Sequence, residues 1–216
     1  MKVAVFGANG QIGRLFTEQW LQEPSGKVRA VIRDAGQAAR FEEMGAETAV
    51  ADLEGPVRKL TEAITGCDAV VFAAGSGGHT GPDKTLLIDL DGAVKAVEAA
   101  EAAGIGRFLL VSALGAGDRE RWNESIRHYY VAKHYADRAV QSSKLAYTIV
   151  RPGGLENGPG TGRVQAAGRL DRGSIPRADV AAVLAAALRE PRTVGQAFDL
   201  VSGETPIDEA LGAALD

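Results

Sequence analysis

The sequence predicts a doubly wound α/β sheet in one domain spanning residues 1–216. Three observations predict it. Short apolar runs recur along the chain, stretches with helical periodicity separate them, and a glycine-rich turn follows the first run directly. Apolar strands joined by helices need crossover connections, which set the strands parallel and cover both faces of the sheet.

The elements follow in order. VAVF (3–6) is a strand, and LFTEQWLQ (15–22) carries apolar residues at three- and four-residue spacing, as a helix does. VRAVI (28–32) is the second strand, AARFEEM (38–44) the next helix, and ETAVA (47–51) and AVVFAA (69–74) two further strands. The long apolar periodicity of TLLIDLDGAVKAVEAAEAA (85–103) predicts a helix that ends near a glycine. RFLLVS (107–112), the helix YYVAKHYADRAVQSS (129–143), YTIV (147–150), the helix ADVAAVLAAALRE (178–190) and AFDLV (197–201) complete the alternation. The irregular stretches 76–84, 115–125 and 153–173 all follow strands, where this fold places its ligand crevice.

The composition, 45% hydrophobic and 24% charged with net charge −4, is that of an ordinary soluble chain and lacks the basic footprint of a nucleic-acid binder. No leader-like or membrane-spanning segment is evident, so the expectation is a cytoplasmic protein that engages neither nucleic acid nor membrane. Cys67 is the single cysteine and reads as a quiet residue at a strand start. His79, His128 and His134 show no metal-ligand spacing, so no metal site is expected.

VAVFGANGQIGRLF places Gly7, Gly10 and Gly13 between the first strand and first helix, with Asn9, Gln11 and Ile12 among them. Such a loop allows a tight turn, close approach of backbone to a pyrophosphate and close helix packing, with the helix N-terminus facing the phosphate charge. A dinucleotide is the expected cofactor. Arg33 stands twenty residues beyond Gly13, at the end of the second strand. A guanidinium there matches a ribose 2′-phosphate and favours NADP, whereas Asp34 would serve NAD if the strand ended one residue later. Arg14 either adds positive charge near that phosphate or is an exposed first-turn side chain.

HYYVAKHYAD (128–137) sets Tyr129 and Lys133 one helical turn apart on one face, with Tyr130 rotated about 100° away. A phenol has a pKa of about 10, and a neighbouring ammonium favours its ionised form, so the pair suits proton transfer to a carbonyl oxygen. The alternative is a ring packed on the sheet and a lysine reaching to water.

With GANGQIG (7–13), AD (51–52), AAGSGGHTG (73–81), LLVSALG (109–115), HYYVAK (128–133), YTIVRPGGL (147–155) and IPRADVA (175–181), the chain resembles the short-chain dehydrogenase/reductase superfamily. The resemblance is to its atypical members, in particular the small bacterial NAD-dependent epimerase/dehydratase-like proteins, with NmrA-like and biliverdin reductase B-like proteins as more distant relatives. It implies Asp52 and Leu53 beside the adenine, and Ala73, Ala74 and Gly75 along the ribose and phosphates. Arg151, Pro152 and Gly153 fall near the nicotinamide through backbone contacts, Ser112 at the catalytic serine, and Lys133 on the nicotinamide ribose. Asp52 reads equally as a capping residue, and Ser112 as a local turn donor.

The expected function is therefore an NADP-dependent oxidoreductase that passes hydride to a small carbonyl or quinone-like acceptor, with Tyr129 as proton donor. Two alternatives stand beside it. One is a non-catalytic NADP-binding redox sensor with a protein partner, of the NmrA-like kind. The other is a flavin or biliverdin-type reductase that binds a planar acceptor without needing the tyrosine.

Overall fold

A computed structural model describes residues 1–78 and 80–213 of the chain; His79 lies outside the described residues. The elements are β1 (Lys2–Phe6), α1 (Gln11–Leu21), β2 (Lys27–Ile32), α2 (Ala38–Glu43), β3 (Glu47–Val50), α3 (Val57–Ile64) and β4 (Ala69–Phe72). A turn of helix, α4 (Pro82–Lys84), leads through a π-helical stretch at Thr85–Gly92 into α5 (Ala93–Ala102). Then come β5 (Arg107–Val111), α6 (Arg127–Ser142), β6 (Ala146–Pro152), β7 (Gly154–Glu156), β8 (Arg163–Ala167), β9 (Ser174–Pro176), α7 (Arg177–Arg189), β10 (Gln196–Ser202), β11 (Thr205–Pro206) and α8 (Ile207–Gly212).

Seven strands run parallel in the order β3-β2-β1-β4-β5-β6-β10, and β8 and β11 extend the far edge antiparallel. Alternation of side chains along each strand divides the core in two. Val3, Val5, Val71, Leu109 and Phe198 face α1 and α7, whereas Phe6, Phe72, Phe108, Leu110 and Ile149 face α3, α5 and α6. The strand order reverses between β1 and β4, so the loops after those strands part and open a crevice at their carboxyl ends.

The sequence reading differs from this structure at several elements, β11, α8 and the π-helical start of the 85–103 helix among them. Helix α3 escapes that reading because VRKLTEAI is mostly polar, yet its Leu60, Ala63 and Ile64 are buried against the sheet. The stretch 153–173, expected to be irregular, contains β7 and β8; in β8 only Val164 is buried, so the strand lacks an apolar run. Ala73 and Ala74, placed in the fourth strand, lie beyond its end at Phe72 and belong to the crevice wall.

Candidate functional site

The first loop is shaped by the side chains it lacks. Gly7 has φ +77°, a backbone region costly to residues with a Cβ, and a Cβ there would lie 2.5 Å from the Cα of Ala74. A Cβ on Gly13 would lie 2.3 Å from the Gly7 carbonyl, so α1 approaches β1 only because that residue is glycine. Gly10 caps α1 in an extended conformation without a side-chain hydrogen bond, which leaves the first-turn N–H groups at Gln11, Ile12 and Gly13 uncapped. A cradle of this shape fits a pyrophosphate, held by backbone N–H groups and the helix dipole. Arg14 adds positive charge beside it: its Nη2 donates to Asn9 Oδ1 at 2.9 Å, while its buried Nε makes no hydrogen bond among the described residues.

At the next strand the two candidate readers separate. β2 ends at Ile32, and Asp34 is occupied, since its carboxylate accepts from the Gly36 N–H at 2.8 Å and caps a turn. Arg33 is exposed and makes no ion pair or hydrogen bond among the described residues, so its guanidinium is available to a ligand. Asp52 likewise accepts from the Glu54 N–H at 2.9 Å; its carboxylate caps a turn after β3, ahead of α3. Leu53 packs toward Gly92 and the core, Ala73 is half-buried, Ala74 buried, and Gly75 exposed at the crevice.

At the far wall, Pro152 and Gly153 spend much of their backbone capacity on the sheet. The Pro152 carbonyl accepts from Leu114 N–H at 2.9 Å, and the Gly153 N–H donates to Leu200 O at 2.8 Å. Contact of their backbone with a nicotinamide is thereby limited to the second lone pair of Pro152 and to the Gly153 carbonyl.

Between these walls stands α6. Lys133, only 4% exposed, donates to Val111 O at 3.2 Å, and its Nζ lies 3.1 Å from Asp89 Oδ1. Asp89 comes from the π-helical stretch and also accepts from Ser76 N–H at 3.0 Å. The same ammonium lies 5.7 Å from the centre of the Tyr129 ring. Tyr130 is turned away and stacks on Trp122, with centroids 6.2 Å apart. Helical spacing therefore brings Tyr129 and Lys133 together, while the fold supplies an acid that the spacing does not reveal.

That acid changes the electrostatics. The sequence leads one to expect Lys133 to draw the Tyr129 phenol down, and its charge does act that way. Burial outweighs it and, with Asp89 also opposing ionisation, holds the phenol above its usual 10. Burial pulls the Lys133 ammonium down, but Tyr129 and Asp89 more than offset it, so the lysine stays charged.

Ser112 departs further from expectation. Its side chain is 3% exposed and its Oγ is sealed from solvent, on the side of Asp137 rather than open to the crevice. Neither Ser112 Oγ nor Asp137 Oδ1 has a hydrogen bond of normal geometry, although the hydroxyl is near enough to favour the ionised carboxylate. The other oxygen, Asp137 Oδ2, accepts from Arg151 Nε at 2.8 Å. In this arrangement the serine hydroxyl is covered and lies beside Asp137. Two signals in the sequence point to the missing acids: Asp137 continues the spacing Tyr129, Lys133, Asp137 along one face of α6, and Asp89 interrupts an apolar helical run.

Among the described residues there is no cluster of His, Cys, Asp and Glu arranged to hold a metal, and no helix is long and apolar enough to cross a membrane.

Residues 7–191 match the family described as NAD(P)H-binding. An uncharacterized sugar epimerase, YhfK, from Bacillus subtilis is 56% identical over 211 residues, covering 98% of this chain and 99% of that one. The solved structure of a putative NAD-dependent epimerase/dehydratase from Bacillus halodurans is 42% identical with a TM-score of 0.92, covering 98% and 99% of the two chains. ChuY, an anaerobillin reductase from Escherichia coli O157:H7, is 28% identical with a TM-score of 0.81, covering 94% of this chain and 97% of that one.

Proposed function

The chain belongs to the NAD(P)H-binding family, and from that premise we propose that it is an NADP-dependent oxidoreductase acting on a small carbonyl or quinone-like acceptor, with Tyr129 as proton donor. The observation that carries this reading is the packing of Tyr129 over a charged, buried Lys133 that is fixed by Asp89 and the Val111 carbonyl.

The bound nicotinamide supplies the hydride. The chain's own residues bind, orient and protonate. The glycine loop and α1 N-terminus hold the phosphates, and Arg33 distinguishes a 2′-phosphate from a hydroxyl through charge-assisted hydrogen bonds. For reduction, the donor must carry its proton before the acceptor's oxygen becomes negative. Burial keeps the Tyr129 phenol protonated at neutral pH, and the Lys133 charge then stabilises the phenolate left after the proton moves. Because Asp89 neutralises part of that charge, the pair favours proton release only as the acceptor demands it. Ser112 is left out of this scheme.

Tyr129→Phe tests it. The variant is expected to keep NADPH binding and to lose about 10²-fold in turnover with a carbonyl or quinone acceptor, the scale for a lost general acid. A second reading is favoured by the likeness to an anaerobillin reductase and by the closed position of Ser112: a reductase that receives a planar acceptor against the nicotinamide without a tyrosine acid. Undiminished turnover in Tyr129→Phe would select that reading, and absence of turnover with every acceptor in the parent would favour a cofactor-binding regulator.

A further inference from the structure

A cavity of about 290 Å³ lies away from the glycine loop, between the outer flank of α6, the segment after β5 and the ends of β6, β8 and β10. Four guanidinium groups line it, from Arg121, Arg138, Arg151 and Arg169, against the carboxylates of Asp118, Asp137 and Asp199. The charges are not equally presented. The Asp137 and Asp199 side chains are each 2% exposed and already engaged: Asp137 by Arg151, and Asp199 by Arg121 and the N–H groups of Gly115 and Leu170. The arginines stand in front of them. Arg151, 9% exposed, commits its Nε to Asp137, while its Nη1 and Nη2 make no hydrogen bond among the described residues and keep contact with solvent. Arg138 is exposed and has no ion pair among the described residues, and Arg169 has only an exposed one, 3.4 Å from Asp118.

The backbone at Gly117 comes close to the guanidinium of Arg151. A Cβ on Gly117 would lie 2.8, 2.9 and 3.0 Å from Arg151 Nη1, Cζ and Nη2, that is, over the face of the group. Glycine at 117 permits that approach, which any side chain there would turn into a clash with the guanidinium. A mostly buried arginine with two unpaired donor nitrogens and a second unpaired arginine lining the same cavity form an arrangement complementary to a planar carboxylate or a phosphate group. The volume is at the small end for ligand sites, enough for a small organic anion and too little for a dinucleotide.

We propose that this cleft is a second ligand site, which binds a small anionic molecule bearing a carboxylate or phosphate group through Arg151 and Arg138. The site does not depend on the hydride reading. It is separate from the glycine loop, and it meets the α6 polar layer at Asp137, one helical turn beyond Lys133.

The test is calorimetric titration of the full chain, saturated with NADPH so that the glycine loop is occupied, with inorganic phosphate or with succinate at constant ionic strength. Saturable binding of one molecule per chain is expected for at least one probe: phosphate alone marks a phosphate-bearing ligand, succinate alone a carboxylate, and both a general anion site. Arg138→Gln, whose exposed side chain supports no other group, is expected to melt as the parent does and to weaken binding at least tenfold. Gly117→Ala is expected to weaken it also, by displacing the Arg151 guanidinium. Absence of saturable binding of either probe, its disappearance when NADPH is present, or equal affinity in folded Arg138→Gln would each overturn the proposal.

Discussion

The glycine loop and the polar layer under α6 meet at one crevice and are built on opposite principles. The loop works by omission. Gly7, Gly10 and Gly13 leave room for α1 against β1 and for a ligand against the backbone, and they do so without a buried ion pair. The layer under α6 works by insertion: Lys133 with Asp89, and Asp137 with Arg151, place ion pairs in a sheet-helix interface that is mostly apolar. The first arrangement limits which side chains fit. The second holds a net charge balance that any single substitution upsets, because a buried ion is tolerated only with its partner.

The largest test of that contrast is Asp89→Asn. The amide keeps the shape and can still accept from Ser76 N–H, but leaves the Lys133 charge uncompensated, which is expected to cost about 3–5 kcal/mol in urea unfolding. Adding Lys133→Met to Asp89→Asn is expected to recover much of the loss, since the buried charge is then gone. If Asp89→Asn alone unfolds at the parent's urea midpoint with an unchanged slope, the pair is not holding a buried charge, and the two regions are less different than the structure makes them.

The same contrast explains what can be read from the chain. The glycine loop is legible because its residues are neighbours and glycine has few reasons to recur at that spacing directly after an apolar run. The parallel strands are legible for a similar reason: each is a contiguous apolar run. Tyr129 and Lys133 are visible as a helical pair, but Asp89 is 44 residues from Lys133 in sequence, and no local pattern assigns one to the other. Ser112 illustrates the converse. A hydroxyl at a strand end reads as a ligand contact from sequence, and only the packing of α6 shows that it faces a buried carboxyl. Helix α3 and strand β8 escape a sequence reading because their buried residues are too few to make a run.

A second test sharpens the loop's side of the comparison. Arg33 is free of internal partners among the described residues, so Arg33→Ala is expected to leave thermal melting unchanged. NADPH affinity should fall at least tenfold, the worth of a charge-assisted hydrogen bond of about 1.5–3 kcal/mol, with NADH affinity nearly constant. Fluorescence titration of both cofactors reads this directly. Equal losses for both would move the 2′-phosphate contact elsewhere, with Arg14 the next candidate, since its guanidinium is already tied to the loop at Asn9.

The smallest effect is a pH dependence that belongs to the polar layer alone. Burial holds the Asp137 carboxyl above its ordinary value of 3.8 despite Arg151 and Ser112, which act the other way. The folded chain therefore keeps this proton to higher pH than the unfolded chain. The resulting stabilisation is present in full below the ordinary aspartate range and is lost as pH rises through the raised value, with a slope of at most about 1.4 kcal/mol per pH unit. Glu47, Glu62 and Glu190 run oppositely: hydrogen bonds from Lys2, Lys59 and Arg192 lower their pKa values, so their contribution is present above the ordinary glutamate range and lost as pH falls. These opposed trends partly cancel in the parent, so the informative quantity is the difference from Asp137→Asn. An asparagine cannot ionise, and any altered contact with Arg151 is a constant offset. Measured by urea unfolding at several pH values from the ordinary aspartate range upward, the variant is expected to gain on the parent until Asp137 is fully ionised, and then to hold a fixed difference. A difference that does not change with pH would mean that Asp137 ionises alike in the folded and unfolded chains, and that Arg151 compensates its burial in full.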